Sequence, residues 1–160
     1  MNVRELMTQD VAACTPDSDL SAAAMLMWQN DCGAVPVVND QGRAIGMITD
    51  RDIAIAAGSR HASTDQIRVA DVINGRLVSV QAGDDVRAAL EAMREAQVRR
   101  LLVTDLDGKL AGVLSINDVI LAARTGNGKS GSGVPGDEVL RAMQTICRHR
   151  TGSREPAHAA

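Results

Sequence analysis

The sequence predicts an α+β protein built from two copies of one strand–helix–strand–strand–helix (βαββα) unit, packed sheet to sheet with pseudo-twofold symmetry, plus a C-terminal helix. Three observations predict it. Residues 3–57 align with residues 69–123 at a constant offset of 66 without a gap, with identical pairs such as Val3/Val69, Asp19/Asp85, Ala23/Ala89, Met27/Met93, Gly46/Gly112 and Asp52/Asp118, the mark of an internal duplication. Within each copy the apolar spacing changes between strand and helix periods in the same order. One unit of this length would bury too little apolar surface to be stable alone, whereas two can share a core.

The elements follow in order. A first strand is expected over Asp10 to Cys14 and over Leu77 to Val80, with turn and cap residues after each: Pro16, Asp17 and Ser18, then Gly83 and Asp84. Leu20, Ala23, Ala24 and Met27 keep helical spacing, as do Val86, Ala89, Leu90 and Met93, so each first helix buries one face. Two strands then form a hairpin in each copy: Val35 to Val38 with Ala44 to Ile48, and Leu101 to Thr104 with Leu110 to Leu114. A second helix opens at Thr49 or Ser115 and presents Ile53, Ile55 and Ala56, or Val119, Leu121 and Ala122. The expected division is residues 1–58 and 67–124 for the repeats, 59–66 for a connector and 125–136 for a flexible linker. Residues 137–150 hold a C-terminal helix, capped by Asp137 and apolar at Val139, Leu140, Met143 and Ile146, and 151–160 a disordered tail. His61, in the connector, reads as a solvated loop residue.

Composition narrows the function. The chain has 160 residues, 45% apolar and 23% charged, with no Phe or Tyr, a single Trp28 and a net charge of −3. Without aromatic platforms or a basic groove, nucleic acid is not an expected partner. No apolar run reaches membrane-span length, and the N-terminal stretch has no signal-peptide core, so a cytoplasmic protein without a membrane partner is expected. Cys14, Cys32 and Cys147 are an odd count with no Cys-x-x-Cys, which favours small buried apolar residues over a disulfide framework or a metal site. Gly128-Lys129-Ser130 imitates the end of a P-loop, but Ala123 stands where that loop needs its first glycine. His149 and His158 lie in the terminal segment, no catalytic constellation is visible, and an enzyme is not expected.

The most informative stretch is written twice, as Gly46-Met47-Ile48-Thr49-Asp50-Arg51-Asp52 and Gly112-Val113-Leu114-Ser115-Ile116-Asn117-Asp118. A hydroxyl followed three residues later by an acid is a helix N-cap signature. A reciprocal capping box prefers Glu or Gln at that spacing, and both copies carry Asp. A short carboxylate held at a helix N-terminus suits the two hydroxyls of a ribose.

These two segments, with Gly33-Ala34-Val35-Pro36-Val37-Val38, make residues 3–123 resemble a tandem pair of CBS (cystathionine β-synthase) domains, a Bateman module, here as a stand-alone CBS-domain protein of bacterial type. The resemblance implies a regulatory module that senses AMP, ADP or ATP, or an adenosyl compound, with no obligatory cofactor and no metal. It places Thr49, Asp52, Ser115 and Asp118 on ribose, and Arg99, Arg100 and Ser79 on phosphate. Adenine would lie against the backbone and aliphatic groups of Val35, Pro36, Val37, Leu101, Leu102 and Val103. Gly33, Ala34 and Ala13 stand where the second copy has Arg99, Arg100 and Ser79, so the second copy is expected to hold the better site. Asp118→Ala is then expected to weaken AMP or ATP binding by roughly ten- to a hundredfold. Arg99 and Arg100 also fit a solvated pair at a strand entrance. Trp28 fits either a core position or a subunit contact, and flat homodimers in the family favour the contact. A regulated partner protein is implied but not identified. Two rival readings remain: a ligand-free dimerisation scaffold whose working part is the C-terminal helix, and redox or metal sensing through Cys14 and Cys32.

Overall fold

The structure is a computed structural model that describes residues 1–73, 77–123 and 133–148. The sequence P-loop decoy, His149, His158, the tail and most of the glycine-rich linker lie outside the described residues. The first repeat contains α1 (Leu20–Gln29), β1 (Ala34–Val38), β2 (Ala44–Thr49) and α2 (Asp50–Arg60). The second contains β3 (Ser79–Gln81), α3 (Val86–Ala96), β4 (Arg100–Thr104), β5 (Leu110–Ser115) and α4 (Ile116–Leu121), and α5 (Gly136–Ile146) follows.

Both expected hairpins form, and they match in detail. β1 pairs antiparallel with β2, and β4 with β5, each with a register shift at the equivalent place, Val37/Val38 and Val103/Thr104. The turns need a residue in the left-handed region, supplied by Gly42 (φ +73°) and Gly108 (φ +77°). The Asn39 side chain accepts from the N–H groups of Gln41 and Arg43 at 3.0 Å, and Asp105 does the same for Asp107 (2.9 Å) and Lys109 (2.8 Å).

The first strands differ from expectation. In the second repeat, β3 covers Ser79–Gln81, parallel to β4. In the first, residues 10–14 form no strand, because Asp10 is itself left-handed (φ 51°) and only Cys14 bridges Val37.

Each repeat's leading segment is seated in the other repeat. Val3 and Met7 belong to the core of Val86, Ala89, Leu90, Met93, Leu101, Val103 and Leu114. Ile67 and Val69 belong to the core of Leu20, Ala23, Met27, Val35, Val37, Ile48 and Ile53. The exchange is reciprocal to the atom. Val3 and Arg4 donate to the carbonyls of Asp84 and Ala82, and Val69 and Ala70 to those of Ser18 and Pro16, all at 2.8–2.9 Å. The hairpins also meet across the pseudo-twofold axis, with Ala44 N–H donating to Gly108 (3.2 Å) and Leu110 N–H to Gly42 (3.0 Å).

The helix faces follow the periodicity except at Ile55, Leu121 and Leu140, and the start of α5 and the end of α2 also differ from expectation. Ile55 and Leu121 turn outward: Ile55 lies between the inward Ile53 and Ala56 on a helix of 3.6 residues per turn, and α4 ends at Leu121, with Ala122 as its C-cap. The N-cap position of α5 is held by Pro135, which makes no side-chain cap bond, and Asp137 lies in the first turn with its carboxylate paired to Arg141 at 3.0 Å. On α5 the buried residues are Val139, Ala142 and Ile146, while Leu140 is exposed. α2 runs on through Gly58 to Arg60 and stops at His61, exposed and left-handed (φ 51°). No described helix is long and apolar enough to cross a membrane.

Of the cysteines only Cys14 is buried, and Cys32 and Cys147 are exposed, against expectation. Burial pushes the Cys14 thiol's pKa up, which keeps it neutral and unreactive.

Candidate functional site

Thr49 ends β2 in an extended conformation, so its hydroxyl faces the first turn of α2. It accepts from Asp52 N–H at 3.2 Å, while Asp52 Oδ2 accepts from the Thr49 N–H (3.0 Å) and hydroxyl (2.7 Å). Ser115 and Asp118 repeat the arrangement with distances of 3.3, 2.7 and 2.7 Å. Aspartate therefore does close a reciprocal capping box in both copies, and the choice of Asp over Glu is not in itself a departure from capping. The box engages one carboxylate oxygen, Oδ2, and among the described residues Oδ1 has no hydrogen-bond partner. Thr49→Val, which removes the cap hydroxyl, is expected to lower stability by about 1 kcal/mol; thermal unfolding should show a fall of roughly 2–4 °C.

A cavity of about 320 Å³ opens beside the first box, within the roughly 300–1,000 Å³ usual for small-molecule sites. Its walls come from both repeats: Met47, Thr49, Asp50, Arg51 and Asp52 from the first, and Val78, Val98, Arg99, Arg100 and Leu102 from the second. α3 ends at Ala96, and the left-handed Gln97 (φ 52°) turns the chain so that residues 98–100 run along the rim. Arg99 is exposed and Arg100 half-buried. Among the described residues, none of Arg51, Arg99 and Arg100 is in an ion pair. Three cations against Asp50 and Asp52 give this cleft, whose wall is part polar and part aliphatic, a positive balance suited to an anionic ligand.

Gly33 has a local reason to be glycine. A Cβ there would stand 2.9 Å from Asp50 Oδ2 and 3.7 Å from Arg100 Nη2, so its absence lets the carboxylate and guanidinium occupy that corner.

The expected site residues are thus grouped across the repeats. Thr49, Asp52, Arg99, Arg100 and Leu102 share one cavity, whereas Ser79, Ser115 and Asp118 are not in its wall. The arginines accompany the first copy's motif, not the second's. Of the residues expected against adenine, Val35, Val37, Leu101 and Val103 send their side chains into the two cores, each at most 1% exposed. Strand alternation allows no other outcome: Leu102 faces the cleft, and Pro36 holds the equivalent position in the first repeat. Sequence reasoning missed Met47, Val78 and Val98. It also missed Asp50 and Arg51, although their charges stand where the second copy has Ile116 and Asn117. Among the described residues no group of His, Cys, Asp and Glu side chains is placed to hold a metal ion.

Comparison with known proteins agrees with this architecture. The family model for the CBS domain matches twice, at residues 3–59 and 69–124. The CBS domain-containing protein YhcV of Bacillus subtilis is 36% identical over 118 residues, 74% of this chain and 82% of that protein. Hypoxic response protein 1 of Mycobacterium tuberculosis is 30% identical over 116 residues, 72% of this chain and 80% of that one. A crystal structure of Hypoxic Response Protein I with two coordinated zinc ions superposes with a TM-score of 0.69 at 29% identity, covering 74% of this chain and 96% of that one. CBSX2 in complex with AMP gives 0.64 at 25% identity, over 76% and 94% of the two chains. The chain spans 61% of MK0525 of Methanopyrus kandleri, to which it is 28% identical over 120 residues. Two matches of one domain model, over the two halves that the pseudo-twofold exchange interlocks, establish that this chain belongs to the CBS domain family.

Proposed function

We propose that the chain is a regulatory CBS pair that binds an adenine nucleotide, AMP, ADP or ATP, in the cleft between its repeats and passes the bound state on through contacts with a second copy or a regulated protein. The observation that carries this reading is the meeting, in one cavity, of the Asp52 carboxylate with Arg99 and Arg100, which come from the other repeat. Asp52 Oδ1, left over by the capping box, accepts from a ribose hydroxyl, with Thr49 holding the carboxylate in place. Arg99 and Arg100 take the phosphate, and Met47, Val78, Val98 and Leu102 supply aliphatic surface for the base. That CBSX2 has been solved with AMP supports the ligand class. Ser115 and Asp118 form the ribose side of a second, weaker site, where the pseudo-twofold axis brings Gly33 and Ala34 in place of the arginines. Ser79 is outside the wall of the first cavity, and at the second site the axis brings Ala13 in its place, so Ser79 is assigned to neither.

A thermal-shift titration tests the reading. AMP at a hundred times its Kd is expected to add about 2.7 kcal/mol of stability, roughly 5–10 °C in melting temperature. An unchanged melting temperature with millimolar AMP, ADP and ATP would instead favour the ligand-free scaffold. One observation favours that second reading: the capping boxes alone account for both Thr/Ser–Asp pairs.

A further inference from the structure

α5 packs against α3 and α4 and buries Val139, Ala142 and Ile146 in the second repeat's core. Arg87 and Glu138 pair at its start (3.4 Å), and near its end the Gln97 side-chain amide donates to the Thr145 carbonyl (3.4 Å). Gln97 is also the C-cap of α3, left-handed at φ 52°, a conformation that costs free energy in a residue with a Cβ. The residues that follow it, Val98, Arg99 and Arg100, are the rim of the nucleotide cleft. One side chain at the turn into the rim therefore touches α5. Val78 and Val98 make a second link, since each lines the cleft and also packs against the core that α5 completes.

The first repeat offers a comparison within the same chain. Asp31 stands where the second repeat has Gln97 and is left-handed too (φ 48°), but the residues after it, Cys32, Gly33 and Ala34, include no cation. Among the described residues no helix lies behind this rim; the place is an open groove of about 560 Å³ with Asp31 in its wall. Of two pseudo-equivalent rims, the one that carries the arginines is the one with a helix behind it.

We infer that α5 braces the arginine rim, so that the seating of α5 and the binding of a nucleotide phosphate favour each other, with Gln97 as the positioning residue between them. The inference rests on the nucleotide reading of the cleft and adds the regulation of that site: α5 registers whether the phosphate is bound, and anything that lifts α5 from α3 and α4 loosens the phosphate's hold. The cause is conformational entropy. Arg99 is exposed, Arg100 is half-buried, and among the described residues neither is in an ion pair, so a phosphate must order them when it binds. A docked α5 has already fixed the turn at Gln97 and the packing of Val98, and less ordering is left for the phosphate to impose. Events that order the same segment are cooperative without a change of shape, and the coupling acts equally in both directions.

Hydrogen exchange of the α5 amides in the full chain, followed with and without saturating AMP and alongside calorimetry, tests the inference. AMP is expected to slow exchange in α5 by about fivefold or more, and adenosine, which brings no phosphate, by less than about twofold. Gln97→Gly removes the tie to Thr145 while glycine keeps the left-handed turn. In that variant AMP is expected to slow α5 by less than about twofold and to bind about two- to tenfold more weakly, with adenosine affinity unchanged. Ala142→Asp, which puts a charge into the seat of α5, is expected to weaken AMP by about fivefold or more; circular dichroism checks its folding, and the glycine variant, which leaves the core intact, decides the matter alone if it does not fold. AMP that binds without slowing α5, or that slows it equally in Gln97→Gly, would overturn the inference and leave the nucleotide reading standing. An equal slowing by adenosine would overturn it as well, because the path would not run through the arginines. Calorimetry that detects no AMP binding to the wild type would overturn the nucleotide reading and this inference with it.

Discussion

Replacing Arg99 and Arg100 together by alanine is expected to weaken AMP binding by roughly a hundredfold or more while leaving adenosine binding and the melting temperature nearly unchanged. The argument starts from what these side chains do without ligand. Among the described residues neither is in an ion pair, so their loss leaves no buried charge behind. With AMP present, each can donate charge-assisted hydrogen bonds to phosphate, worth about 1.5–3 kcal/mol apiece. Solvent exposure of Arg99 reduces its share, and about 3 kcal/mol for the pair is a fair expectation. Calorimetric titration with AMP and adenosine separates the phosphate from the nucleoside. Equal AMP affinity in the double variant would place the phosphate elsewhere. Salt should weaken AMP binding to the wild type more than to the variant, since screening acts on the charges removed. Asp52→Ala is expected to act on the same cleft, weakening adenosine and AMP alike, whereas Asp118→Ala acts on the cleft where Gly33 and Ala34 replace the arginines.

How much of this could be read from the chain depends on the range of the interaction concerned. Local signals sufficed for the hairpins, because Gly42 and Gly108 sit where the turns need a left-handed residue, and for the caps at Thr49 and Ser115, where a hydroxyl and an acid lie one helical turn apart. Long-range placement was not legible. The duplication pairs Val3 with Val69 whether each segment packs in its own repeat or in the other, and the exchange appears only when Val3 is found among Val86 and Met93. The same exchange of partners governs the site. Arg100 pairs with Ser115 in the ladder and the Arg99 carbonyl accepts from Ile116 N–H, which puts both beside the second motif, yet they line a cavity with Thr49 and Asp52. Trp28 left two readings open, and its exposure removes the core one. The seating of α5 was hidden as well, since an amphipathic helix states that one face is buried but not against what.

The two motif glycines look alike in sequence and are expected to respond very differently to substitution. A Cβ on Gly112 would stand 2.4 Å from the Thr8 carbonyl oxygen and 3.3 Å from Met7 Sδ. Thr8 is held there by two backbone hydrogen bonds with Val113, at 2.9 and 3.0 Å, so the obstacle is backbone and cannot swing aside. Gly112→Ala must therefore push the leading segment off β5, loosening the seat of Val3 and Met7 in the second repeat's core. At Gly46 the nearest atom to such a Cβ is the terminal methyl of Ile73, at 3.5 Å, an ordinary contact with a side chain that can turn. Overpacking against fixed atoms costs about 1–3 kcal/mol, and the strained hydrogen bonds add to it. Gly112→Ala is expected to lose about 3 kcal/mol, roughly 6–12 °C in melting temperature, and Gly46→Ala less than about 1 kcal/mol. Equal losses in the two variants would show that the glycines serve the strands themselves rather than the exchange. A large loss confined to Gly112 would locate the exchanged N-terminal segment as a principal tie between the repeats that form the cleft.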